Sequence, residues 1–221
     1  MEDTSKHSLY ESIKKELKIE IISQKNDNEL KQKNNNFESL EYKILVMGDH
    51  YSGKTSFCLR CALNEFNLEI ESRKESKCYL KNISLFDEEI KAYLVDATRL
   101  GKNTIYLELL KDTKGVIIMY DITKLETFQL AEKLVNEIKL NFGNNFPIIL
   151  VGNKNDLNFL REIDYEEAKE KAKSLNCSFR EINCVDENSA HDTFKYMISK
   201  IYFNDLDDKE KEEIIKNLQE E

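Results

Sequence analysis

The residues with the clearest chemistry lie in one run, Gly48-Asp49-His50-Tyr51-Ser52-Gly53-Lys54-Thr55, followed by Ser56. The apolar stretch before Gly48 has strand character, and Gly53-Lys54-Thr55 opens an apolar-periodic helix. This is the strand–GxxxxGK[ST]–helix layout of a phosphate-binding loop. Each part has a physical task. Glycines let the backbone turn sharply so that successive N–H groups face phosphate oxygens, and the helix N-terminus adds positive potential. Lys54 is placed to reach β- and γ-phosphates, and the Thr55 hydroxyl to ligate Mg²⁺. A plain glycine-containing turn is the bland alternative, and the flanking strand and helix count against it. Cys58 and Cys61 form a CxxC, but they fall one turn apart inside that helix with no second pair to complete a zinc site, so they read as buried thiols.

The elements that must position this loop alternate strand and helix from Glu41 onward. Strand patterns cover Tyr42–Met47, Lys77–Leu85, Ile90–Asp96, Gly115–Asp121, Pro147–Gly152 and Ser178–Ile182. The second and third are joined by a turn at Phe86-Asp87-Glu88-Glu89, and the single proline, Pro147, sits at a strand start where its missing N–H is tolerated. Helical patterns cover Lys54–Leu63, Thr127–Leu140, Glu166–Leu175 and Ser189–Phe203. The order implies an α/β fold: a doubly wound, mostly parallel, six-stranded sheet with helices on both faces, of the P-loop NTPase kind. In such sheets ligands bind beyond the carboxyl ends of the strands, where the loops after Met47, Asp96, Asp121 and Gly152 gather.

Residues 1–40 read as an N-terminal extension, 41–203 as the nucleotide-binding domain, and 204–221 as an acidic C-terminal extension. Leu9, Ile13, Leu17 and Ile21 recur every four residues, as one stripe of an amphipathic helix does. That stripe docks on the domain, binds a partner, or belongs to a solvated tail. Lys25–Asn36 reads as an Asn/Lys-rich linker, and Ile214, Ile215 and Leu218 give the C-terminal segment one weak apolar stripe. The net charge of −9 argues against nucleic acid or an anionic membrane as the main partner. Five cysteines without a disulfide framework fit a reducing cytoplasm. Glu2 after Met1 offers no myristoylation site and no cysteine follows Cys184, so no direct lipid anchor is expected.

A second polar run, Asn153-Lys154-Asn155-Asp156, follows the apolar strand Ile148–Val151 and resembles the guanine-recognition motif NKxD of the Ras superfamily of small GTPases. A carboxylate at Asp156 can accept two hydrogen bonds, from the ring N–H and the exocyclic amine of guanine. The resemblance implies that Asn153 contacts the base edge and tethers the phosphate loop, and that the Lys154 stem packs on the base. Asp96, closing its strand, stands where the family holds Mg²⁺ through water, and its distance of 42 residues from Lys54 is similar to the Rab branch. On that register Phe66 takes the place of an aromatic that stacks on guanine. Tyr120-Asp121-Ile122-Thr123 with Phe128 resembles the Rab pattern YDIT…F. Asn183-Cys184-Val185 lies where the family has its SAK loop, whose small residue, here Cys184, offers a backbone N–H to the guanine carbonyl. The resemblance covers about residues 41–203 and implies GTP or GDP with Mg²⁺ as ligands.

The departures fall on one function. The first-switch threonine that binds Mg²⁺ and senses the γ-phosphate is Arg73 on the ungapped register, with Ser72 and Ser76 nearby. The second switch, DxxGQ in the family, reads Asp96-Ala97-Thr98-Arg99-Leu100. Leu100 has no group with which to orient an attacking water, so no catalytic residue is assigned. His50 and Tyr51 hold phosphate-loop positions usually given to small residues, and bulk there is expected to crowd the γ-phosphate. The expectation is a Rab-like protein of vesicle or protein transport that binds guanine nucleotide and hydrolyses GTP slowly or not at all. Protein effectors or a complex would engage its switch surfaces or N-terminal helix, in the cytoplasm or on endomembranes through a partner. A pseudo-GTPase scaffold is the alternative, and an ATP-using enzyme, against which Asp156 speaks, a third.

Overall fold

Along one strand Ile44 and Val46 alternate with Leu45 and Met47, and all four are buried. A strand buried on both sides must sit inside a sheet covered by helices on both faces. The computed structural model describes residues 21–23, 40–66, 76–85, 88–97 and 108–212. Its principal elements run β1 (Ile21–Ser23), β2 (Leu40–Gly48), α1 (Lys54–Leu63), β3 (Lys77–Leu85), β4 (Glu88–Asp96), β5 (Thr113–Asp121), α2 (Leu125–Phe142), β6 (Ile148–Asn153), α3 (Tyr165–Ser174), β7 (Ser178–Glu181) and α4 (Glu187–Asp205). The spatial order is β1-β3-β4-β2-β5-β6-β7. Strands β4, β2, β5, β6 and β7 are mutually parallel, and β3 runs antiparallel to β4. The carboxyl ends of five strands therefore meet at one edge of the sheet.

The two faces make two cores. On one, α2 and α3 bury Phe128, Val135, Ile138, Ala168 and Ala172 against Leu45, Met47, Ile118 and Leu150. On the other, α1 and α4 bury Phe57, Phe194, Met197 and Ile198 against Ile44, Val46, Ile117 and Val151. Burying a large apolar side chain contributes about 1.5–3 kcal/mol, so the alternation pins the register of every central strand. Cys58 and Cys61 lie wholly inside the second core, where burial pushes both thiols well above their ordinary range.

All six expected strands form, and β1 extends the sheet by a seventh at its edge. It pairs parallel to β3, Ile21 opposite Cys78 and Ser23 opposite Leu80. Ile21, expected in a helical stripe, is thus in a strand; Leu9, Ile13, Leu17 and the linker lie outside the described residues. The physical reason is the open edge of β3, whose unpaired N–H and C=O groups accept any extended segment within reach. The expected turn at 86–89 is shorter, because the β3–β4 ladder closes down to Leu85 opposite Glu88. Polar Glu88 and Glu89 sit there at no cost, since that end of the ladder is exposed. Pro147 stays outside β6 and contributes its carbonyl, which accepts from Val116 N at 3.0 Å. Ile214, Ile215 and Leu218 also lie outside the described residues.

Replacing both Ile21 and Ile22 with proline removes whichever β1 N–H faces β3. Hydrogen exchange of the Cys78–Leu80 amides should then rise by on the order of tenfold or more. Unchanged protection would mean that β1 does not hold that edge in solution.

Candidate functional site

The strand ends that converge on one edge carry nearly every residue with assigned chemistry. Gly48 ends β2 at φ 138°, and a Cβ there would stand 2.1 Å from the Met119 carbonyl oxygen. Gly53 has φ 97°, and its Cβ would collide at 1.9 Å with the Asn153 side-chain nitrogen. Only glycine fits either position, so both are set by the close approach of β5 and of the loop after β6.

No side chain caps the first turn of α1, which begins behind Gly53. The other helices differ. Asp164 caps α3 and Asp186 caps α4 with their carboxylates, and Glu162 reaches the Leu125 N–H at the start of α2. The N-terminus of α1 keeps its donors and its positive potential for another acceptor, as an anion site requires. Lys54 folds back over the loop and donates to the Asp49 carbonyl at 2.6 Å, which the Ser52 hydroxyl also reaches at 2.9 Å. Burial pushes the Lys54 ammonium below its ordinary value, while the Asp96 and Asp49 carboxylates pull the other way. Thr55 Oγ1 donates to Asp96 Oδ2 at 2.6 Å. A hydroxyl and a buried carboxylate held together beside a phosphate loop are a hard-oxygen pair that suits Mg²⁺. Ser56 is half-buried in the same turn. His50 is exposed, and Tyr51, at φ 60°, is 66% exposed.

The second expected motif joins this loop directly. Asn153 Nδ2 donates to the Ser52 carbonyl at 2.9 Å across 101 residues of chain, the tether the motif implies. Lys154 takes φ 69° and turns its ammonium onto Asp121 Oδ2 at 2.6 Å. Asp121 Oδ1 accepts from the Thr123 N–H at 3.0 Å and its hydroxyl at 2.7 Å. Asp156 opens the 3-10 turn Asn155–Leu160; its carboxylate is exposed and bonds to none of the described residues. On the third loop, Asn183 Oδ1 accepts from the Val185 N–H at 2.8 Å, and its carbonyl accepts from Asp186 N at 3.0 Å. The Cys184 N–H donates to none of the described residues, Cys184 is 4% exposed, and Val185 is 50% exposed. Phe66 is half-buried, with the Arg60 guanidinium 5.4 Å from its ring centroid. Ser76 is half-buried at the start of β3, whereas Ser72, Arg73, Thr98, Arg99 and Leu100 lie outside the described residues.

Two participants escaped the sequence reading. Arg60 donates to the carbonyls of Cys184 and Val185, both at 3.2 Å. Asp121 carried only a pattern in the sequence, yet it anchors Lys154. Burial raises the Asp121 carboxyl, but hydrogen bonds from Lys154 and Thr123 outweigh it and leave the group below its ordinary value. A carboxyl depressed in the fold stabilises it above the unfolded group's pKa, and that contribution is lost as pH falls through the folded value. Urea midpoints should therefore drop as pH falls below about 4, and Asp121→Asn should flatten that part of the profile. Identical slopes for the two proteins would contradict the clamp.

The comparisons agree with this geometry. A family model described as Ras family matches residues 43–203. The Ras-related protein Rab-11A of Dictyostelium discoideum is 32% identical over 162 residues, 73% of this chain and 76% of that protein. The GTP-binding protein ypt3 of Schizosaccharomyces pombe is 32% identical with the same coverage, and the Ras-related protein rab-11.1 of Caenorhabditis elegans is 30% identical over 73% of this chain and 77% of its own length. The chain belongs to the Ras family of small GTPases and is Rab-like within it. Proteins of that family bind GTP and GDP with Mg²⁺. Among the described residues no helix is long and apolar enough to cross a membrane.

Proposed function

We propose that this chain binds GDP or GTP with Mg²⁺, hydrolyses GTP slowly or not at all, and serves vesicle or protein transport through protein partners. The observation that carries the reading is the Asn153–Ser52 hydrogen bond. It welds the loop bearing Asp156 to the loop bearing Lys54, so one ligand can meet a base-edge carboxylate and a phosphate cradle together. The α1 N–H groups and Lys54 hold the phosphates. Thr55 and Asp96 would hold Mg²⁺, Thr55 by its hydroxyl and Asp96 through water, and the bound ion would supply charge neutralisation at the phosphate oxygens. Asp156 selects guanine, the Cys184 N–H meets its carbonyl, and the Lys154 stem and Phe66 flank the ring. Slow hydrolysis follows from Leu100, which cannot orient water, and from Arg73 and Arg99 in place of γ-phosphate-sensing groups. The protein reaches endomembranes from the cytoplasm through a partner that engages the switch surfaces or the N-terminal extension.

Denaturing freshly purified protein and identifying the released nucleotide tests the reading. Close to one GDP or GTP per chain is expected. An empty protein that also fails to bind a fluorescent GDP would overturn it in favour of a nucleotide-free scaffold.

A further inference from the structure

Arg60 lies six residues beyond Lys54, at the far end of α1 from the phosphate loop, yet its guanidinium spends every nitrogen on something fixed. Nε donates to the Cys184 carbonyl and Nη2 to the Val185 carbonyl, both at 3.2 Å. Nη1 reaches the Asn64 carbonyl and side-chain oxygen, both at 3.3 Å. Asn64 is itself locked in the left-handed conformation that ends α1, its N–H bonded back to Arg60 O at 3.1 Å. The same guanidinium stands over the Phe66 ring at 5.4 Å. One side chain thus joins the end of α1, the aromatic Phe66 and the loop Asn183–Val185.

We propose that Arg60 is a positioning residue for guanine recognition, holding the Asn183–Val185 loop so that the Cys184 N–H meets the 6-oxo group of the base. The inference rests on the nucleotide reading above. The loop has two internal ties, Val185 N–H to Asn183 Oδ1 and Asp186 N–H to Asn183 O, which shape it but do not place it against the base. Arg60 supplies a tie from outside the loop, to two of its carbonyls. By gripping the carbonyls of Cys184 and Val185, it fixes the two peptide planes that follow Cys184, whose N–H groups are already bonded to Asn183, while the Cys184 N–H in the plane before them donates to none of the described residues. A rigid planar fork is suited to this, because bonds in fixed directions lose little side-chain freedom when made. Lysine, a point charge on a flexible stem, can satisfy one carbonyl and not the set.

The test is a cycle between side chain and base, read by equilibrium binding to the full chain. Arg60→Ala should weaken GDP by about 10- to 100-fold, the loss expected when a contact must organise itself on binding. Inosine diphosphate keeps the 6-oxo group and lacks only the 2-amine, so the variant should lose as much affinity for it as for GDP. The diphosphate of 2-aminopurine riboside lacks the 6-oxo group, and the loss for it should shrink to less than about threefold. Arg60→Lys should fall between wild type and Arg60→Ala, which also covers the case in which alanine unfolds the protein. Equal losses for all three ligands would make Arg60 a structural residue only, and no loss would remove it from the site; either overturns the proposal. A wild-type protein that fails to prefer GDP over the 2-aminopurine analogue would instead overturn the nucleotide reading beneath it.

Discussion

Asp156→Ala should remove most of the discrimination between GDP and ADP, leaving only the share carried by the Cys184 N–H, and weaken GDP binding by about 10² to 10⁴-fold. The estimate comes from two hydrogen bonds to an ionised acceptor, each worth about 1.5–3 kcal/mol, at about 1.4 kcal/mol per tenfold. The structure leaves this carboxylate exposed and bonded to none of the described residues, so alanine breaks no hydrogen bond among them. The fold should therefore survive, and urea unfolding of the nucleotide-free variant should match wild type. Competition of GDP, ADP and inosine diphosphate against a fluorescent GDP measures the effect. Guanine preference retained in the variant would place base recognition elsewhere.

Lys54→Ala should cost a comparable amount by a different route, with no change in base preference. Lys54 is buried beside Asp96 and Asp49, and its ammonium bonds to the loop's own carbonyl at Asp49. Truncation leaves phosphate charge in a partly dry cradle without its compensating cation, a loss of about 3–5 kcal/mol, or roughly 10² to 4 × 10³-fold in affinity. GDP and inosine diphosphate should weaken by the same factor, because both carry the same phosphates. A variant that loses base preference while keeping phosphate affinity would reverse the assigned roles of the two loops.

Much of this architecture was legible because it rests on local rules. The α1 boundaries follow from GxxxxGKT and the apolar run after it, and β5 and β6 from uninterrupted apolar stretches that only a doubly covered sheet can bury. Thr55 follows from the phosphate-loop pattern and Asp96 from the end of its strand, and they meet at 2.6 Å. What stayed hidden depends on partners distant in sequence. β1 exists because β3 has an open edge, which no pattern within residues 1–40 announces. The 3-10 turn Asn155–Leu160 has no apolar period to betray it, since Phe159 and Leu160 are exposed. Arg60 belongs to no motif in the sequence, and its partners lie 124 and 125 residues away. Lys154 was expected to serve the base through its stem, and its ammonium is committed to Asp121.

The departures at Arg73, Arg99 and Leu100 give the proposal its content beyond family membership. The groups that Arg73, Arg99 and Leu100 replace in the family pattern serve γ-phosphate sensing, water activation and one Mg²⁺ contact, while Lys54, Thr55, Asp96, Asn153 and Asp156 match the positions assigned to the phosphates, Mg²⁺ and the base. On the proposed reading, such a site holds nucleotide without cutting it. The most direct test is single-turnover hydrolysis of GTP bound stoichiometrically to the full chain with Mg²⁺. Phosphate release well below the roughly 10⁻⁴ s⁻¹ of an unassisted small GTPase is the predicted result, with GTP recovered intact. A rate at or above that value would contradict the account.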